Sequence, residues 1–150
     1  MKKEIPKNIE IFNHIILFVL IKLYDAFPSP IDLDSISIGF DARPDENDKD
    51  ELWKSTEISG HTIDWLEQEG FMTVEAKPIM GRPYYSGVRL TLKGLTLLGY
   101  TPASALDEKN RETLITRAKA VVSKAVEQSA TDVVGSLFLA ALQYLPKVIG

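Results

Sequence analysis

His14 and His61 are the only imidazoles in the chain, and there is no cysteine. Thiolate metal sites, disulfides and cysteine nucleophiles are therefore excluded. The two histidines lack metal spacing, and no carboxylate lies at ligand spacing from His14, so His14 reads as a packed or surface residue. A Ser-His-Asp arrangement would have to be built around one of these rings without a nucleophile-elbow motif. No glycine-rich loop follows a strand to hold phosphate. The acidic run Asp41 to Glu51 has the density of a calcium loop. It lacks the required glycine, however, and Lys49 occupies a ligand position, so it reads as a solvated loop or an acidic helix start. The remaining carboxylates also sit in polar runs. The expectation is a protein with no enzymatic activity, no cofactor and no metal.

The chemistry left to such a chain is recognition, and its elements decide what faces outward. Forty-five per cent hydrophobic and 25% charged residues describe an ordinary globular chain with a formal net charge of −4. That charge leans against a dedicated nucleic-acid binder, which gains affinity from basic surface. Pro6 suits a helix N-terminus, and apolar residues run from Ile9 to about Phe27, unbroken from Ile15 to Ile21. A helix apolar on all sides is buried on all sides, yet Asn13, His14 and Lys22 bracket a run too short to span a bilayer. No integral membrane association and no secretion signal are expected, and the reading is cytoplasmic. Pro28-Ser29-Pro30 ends this helix. Ile31, Leu33, Ile36, Ile38 and Phe40 fit a short strand and a short helix, and pattern alone leaves that open.

The middle of the chain carries the clearest grammar. Ile63 and Leu66, with the stem of Glu67, share a helical face in a helix that begins as early as Asp50. Gly70 then occupies a left-handed C′ position. Val88, Leu90 and Leu92 alternate with Arg89 and Thr91 as in a half-buried strand, and Thr91 can cap a helix carrying Leu95 and Leu98. A helix ending Leu-x-x-Glu-Gly-Phe, a β-ribbon and then Arg-Leu-Thr-x-Lys-Gly-x-x-Leu-Leu resembles the winged helix-turn-helix superfamily over residues 1–100. The resemblance implies a mainly α fold with a small β-hairpin and a C-terminal helical extension. It implies that Lys54, Ser55, Ser59, His61 and Thr62 face a major groove. Lys77, Arg82, Tyr84 and Arg89 would then lie on the wing. Arg82, Lys77 and Arg89 would hold phosphates while Ser59, His61 and Thr62 read bases. Against this, Glu51, Glu57, Asp64, Glu67 and Glu69 face only Lys54 on the same helix. Trp53 and Trp65 read as core or interface anchors.

Thr101-Pro102 separates this unit from a helical segment, residues 101–150. Asp107 and Glu108 suit a helix start near Leu106. Leu114, Ala118, Val121, Val122, Ala125 and Ser129 form one stripe. Val133, Leu137, Ala141 and Leu145 form another, rotated by about a third of a turn, so a break near Ser129 to Asp132 is expected. The second helix is expected to end before Pro146. Its apolar surface has three possible covers: the first helix, a second subunit, or a membrane surface. Only Lys147 could supply the basic face a membrane surface needs, so the best-fitting cover is a homodimer. Its contacts would be Ile16, Val19, Leu23, Leu137, Phe138, Ala141 and Leu145. Two function classes follow. One is a small dimeric transcriptional regulator that binds DNA. The other is a winged-helix protein–protein interaction module, an accessory subunit without DNA binding.

Overall fold

The computed structural model describes residues 5–42, 49–80, 82–99, 113–123 and 129–149, at backbone level only for 49–52 and 144–149. Pro6 leads into α1, Lys7–Ala26, whose Ile11, Ile15, Ile16, Leu17, Val19, Leu20 and Leu23 are buried. After the proline-bounded turn comes β1, Ile31–Asp34, and then α2, Ser35–Asp41. The open region after the first helix is thus a strand followed by a helix. Asp34 caps α2 by accepting hydrogen bonds from the Ile36 and Ser37 amides at 3.0 and 3.2 Å.

The long helix α3 is Lys49–Gln68. Gly70, at φ +82°, closes it, with its amide bonded to the Glu67 carbonyl and the Phe71 amide to that of Leu66. This is the paired arrangement that satisfies the last carbonyls of a helix. Two strands follow, β2, Met72–Thr73, and β3, Tyr84–Leu90. They pair antiparallel, with Met72 opposite Leu90. β1 adds to the other side of β3, placing Leu33 opposite Tyr85, so the sheet order is β1-β3-β2. The expected ribbon is present, enlarged by a third strand. The alternation stops sooner than expected, because β3 ends at Leu90 and Leu92 opens the next helix, exposed. That helix is α4, Leu92–Leu98, capped by Thr91, whose hydroxyl accepts from the Gly94 amide and donates to the Gly70 carbonyl.

Two further helices complete the described chain, α5, Leu114–Val122, and α6, Ala130–Ile149. The helix start expected at Leu106, the Thr101-Pro102 boundary, Asp107, Glu108 and Ala125 lie outside the described residues. Ser129 accepts from the Asp132 amide at 3.2 Å, the capping expected at the break. α6 does not stop before Pro146 but runs through it. A proline there removes the bond to the carbonyl of Leu142. Leu142 itself is 73% exposed.

The tail helices answer the question of what covers α1. α3 and β3 pack against α1, and so do α5 and α6 from the same chain. Asn13, buried in α1, donates to the Thr131 hydroxyl of α6 at 3.0 Å. Ile16, Val19, Leu23 and Leu137 belong to this one hydrophobic core and are buried within a single chain. They are not available as dimer contacts. Phe138 and Ala141 are half-buried against the same core, and the Leu145 side chain lies outside the described residues. The fold is mainly helical with a small three-stranded antiparallel sheet, and no helix of the described residues is long and apolar enough to cross a membrane.

Candidate functional site

The orientation of α3 decides which chemistry reaches solvent. Ser55, Ser59, Thr62, Ile63 and Leu66 form its buried face, and Ser55 and Ser59 are entirely inaccessible. At Ser55 the cause is a close crossing with α2. A Cβ on Gly39 would sit 2.6 Å from the Ser55 carbonyl oxygen and 2.7 Å from the Thr56 Cα. Only small residues at the contact allow that approach. Among the described residues the Ser55 and Ser59 hydroxyls find no hydrogen-bond partner, and the Thr62 hydroxyl donates to the Ile58 carbonyl at 2.7 Å. Ser55, Ser59 and Thr62 therefore cannot meet a base edge, which corrects the base-reading roles expected of them.

The outward face carries Trp53, Lys54, Glu57, His61 and Gln68, with Asp64 half-exposed. Among the described residues, Lys54 is the single fixed cation of this face. A phosphate backbone approaching it would meet Glu57 and Asp64.

The ribbon is tied to α3 by polar contacts that also consume its charges. Tyr85 points inward, and its hydroxyl donates to the Gly60 carbonyl at 3.0 Å and lies 3.1 Å from Asp64 Oδ1. Burial raises the Tyr85 pKa above its ordinary value, and the Asp64 charge and hydrogen bond add to the rise. Lys77 forms an ion pair with Glu67 at 2.8 Å, and that bond and charge hold its ammonium above the usual lysine value. Lys93 donates to the Glu69 carbonyl at 2.6 Å and lies 4.8 Å from the Phe71 ring centroid, so it caps the C-terminal end of α3. Of the wing residues expected to meet phosphates, Arg82 and Arg89 remain exposed with no ion pair among the described residues, and Tyr84 is half-exposed beside them in sequence. Ile79 and Met80 precede Arg82 and are largely exposed, so the tip is as apolar as it is basic.

Two apolar depressions flank the helix. One, of about 300 Å³, lies between α1 and α3, lined by Ile9, Phe12, Ile58 and Trp65 with His61 and Thr62. Trp65 is held there edge-on by Phe12 and Phe138, at 5.2 and 5.6 Å between centroids. The other, of similar volume, is formed by Ile36, Phe40, Trp53 and Thr56 at the α2–α3 corner. Sequence reasoning missed this corner, although Ile36 and Phe40 stand one helical turn apart, a spacing that places them together. Of the two tryptophans expected as core or interface anchors, Trp65 packs half-buried on the core and Trp53 is 80% exposed. Among the described residues no group of three or more histidine, cysteine or carboxylate side chains could hold a metal ion. Comparison with known proteins finds no matching family model, no matching curated protein and no matching solved structure.

Proposed function

We propose that the chain is a winged helix used as a scaffold for protein recognition, without sequence-specific DNA binding. The order helix, strand, helix, helix, strand, strand, with the ribbon tied back to the third helix, supports the winged-helix reading. The observation that carries the function is the phase of α3. Three of its four hydroxyl-bearing residues, Ser55, Ser59 and Thr62, are buried, the half-buried Thr56 donates its hydroxyl to the Trp53 carbonyl, and the exposed face sets Glu57 and Asp64 against Lys54. Such a face repels phosphate and offers few donors to base edges. Fluorescence anisotropy of a labelled random duplex at low salt tests this. No saturable binding at tens of micromolar protein is expected, and submicromolar binding would overturn the reading.

A second reading has its own support in Arg82 and Arg89, exposed on the wing with Tyr84. On that reading the ribbon alone holds a nucleic-acid backbone, and Arg82→Ala lowers the salt dependence of binding by about one counterion. A homodimer no longer follows from buried apolar surface. Among the described residues, one apolar face still open to a second copy is the outer stripe of α6, where Leu139 and Leu142 are 57% and 73% exposed.

A further inference from the structure

We propose that the groove between α1 and α3 docks the apolar ridge of a partner protein's amphipathic helix, oriented by Lys54 and Glu57. The inference rests on the protein-recognition reading and names its site and the chemistry of its occupant.

α3 gives the groove Ile58, His61, Thr62 and Trp65, spaced i, i+3, i+4 and i+7. One stripe of the helix therefore lines it for two turns, about 10 Å. Asn8, Ile9 and Phe12 of α1 form the facing wall, and Ile9 is 41% exposed. Trp65 is held in place, because Phe12 and Phe138 meet its ring edge-on and Phe71 stacks on it at 6.4 Å between centroids. An aromatic already fixed by its own core loses little side-chain entropy on binding, which suits an anchor. Phe138 carries the apolar surface from the groove onto α6, where Leu142 stands one turn further on and is 73% exposed. A two-turn channel between helices accepts a helical ridge, whose side chains repeat at the same i, i+4 and i+7 spacing.

Charge selects the occupant. None of the lining side chains is a carboxylate, a lysine or an arginine. The α3 lip carries one charge of each sign, Lys54 one turn before Ile58 and Glu57 one turn before His61. Both are exposed, and neither is in an ion pair among the described residues. A nucleic-acid backbone gains one contact there and is repelled by the other, and an anionic membrane needs a basic face that this lip lacks. Two copies facing each other across the groove would oppose one hollow to another. A helix with aliphatic residues along one stripe, a carboxylate against Lys54 and a lysine or arginine against Glu57 fits both the walls and the lip.

The test uses the full chain and fluorescein-labelled 14-residue helices of leucine, lysine and glutamate. One peptide has its leucines in a single stripe, with lysines along one side and glutamates along the other. A second exchanges the lysines and glutamates, and a third scatters the leucines. The better of the two striped peptides is expected to bind in the micromolar range, several-fold tighter than its charge-exchanged copy, and the scattered peptide not to bind. Ile9→Asp is expected to weaken binding at least tenfold with the helical circular-dichroism signal retained, since an acid in the first turn suits the start of α1. The double variant Lys54→Glu with Glu57→Lys, whose side chains are exposed, is expected to reverse the preference between the two striped peptides. No binding, equal binding of the scattered peptide, indifference to Ile9→Asp, or a preference that does not reverse would each overturn the docking site. A dimeric mass in sedimentation that becomes monomeric with Ile9→Asp would also overturn it, by making a second copy the occupant. Random duplex DNA titrated in parallel separates the two levels. Tight duplex binding overturns the recognition reading itself, whereas a peptide failure without duplex binding overturns only this site.

Discussion

Leu137→Ala distinguishes a tail that completes the core of its own chain from one held by a second copy. Leu137 on α6 is buried in the core, next in sequence to Phe138, which reaches Phe12 and Trp65. Truncating a buried leucine removes its transfer energy and leaves a cavity, a loss of about 2.7–5 kcal/mol. With a urea slope of about 1–3 kcal/mol per molar, the midpoint should fall by about 2 M. The emission of Trp65 reports the transition, and Trp53→Phe removes the second indole from the signal. Packing within one chain makes the midpoint independent of protein concentration. A tail held between two copies would instead gain about 2.7 kcal/mol in apparent stability for each hundredfold rise in concentration. A midpoint that climbs in this way, or a Leu137→Ala shift under about 0.5 M, would refute in-chain burial of α6.

Other substitutions probe the contacts that set the phase of α3. Gly39→Val should destabilise by about 1–3 kcal/mol in chemical melts, because its side chain would enter the backbone of α3 at Ser55. Ser55→Ala and Ser59→Ala should leave stability unchanged or raise it by about 1 kcal/mol, since each removes a buried hydroxyl with no hydrogen-bond partner among the described residues. Tyr85→Phe should cost about 1 kcal/mol at neutral pH through loss of the contacts to Gly60 and Asp64. It should also alter the alkaline limb of the stability curve. The Tyr85 pKa is raised in the folded chain above its ordinary 10.0, so the unfolded chain gives up that proton first. Stability contributed by this hydroxyl is present below pH 10 and drains away above it, with a limiting slope of about 1.4 kcal/mol per pH unit. Tyr85→Phe should abolish that part of the decline, as read from urea midpoints measured on both sides of pH 10.

The parts of the fold that were legible in the sequence are those governed by local chemistry. Gly70 had to be left-handed, Thr91 had the spacing to reach the Gly94 amide, and Ser129 stood where a new helix needed a cap. The all-round apolar character of α1 also signalled burial on every side. A sequence does not state whose residues supply the cover, and Ile16, Val19, Leu23 and Leu137, expected at a second copy, are buried in the core of one chain, where α5 and α6 pack on α1. The site was less legible. Periodicity gives the width of a buried stripe, but its phase on α3 depends on Gly39 of α2, which lets that helix approach at Ser55. Ser55, Ser59 and Thr62 look like solvent-facing residues by type, and tertiary contact overrides type. Pro146 was read as a stop, and α6 passes it.

The absence of cysteine permits a direct measurement of which face α3 presents. Single cysteines are placed at Ser55, Ser59 and Thr62 on one side and at Glu57, His61 and Gln68 on the other, and each is reacted with a chromogenic disulfide reagent under native conditions. The second group should react at the rate of a free thiol, and the first should be slowed by several orders of magnitude, since reaction there waits for an opening of the fold. Fast labelling at positions 55, 59 and 62 with protection at 57, 61 and 68 would put the hydroxyl-bearing face in solvent and return the helix to the reading of bases.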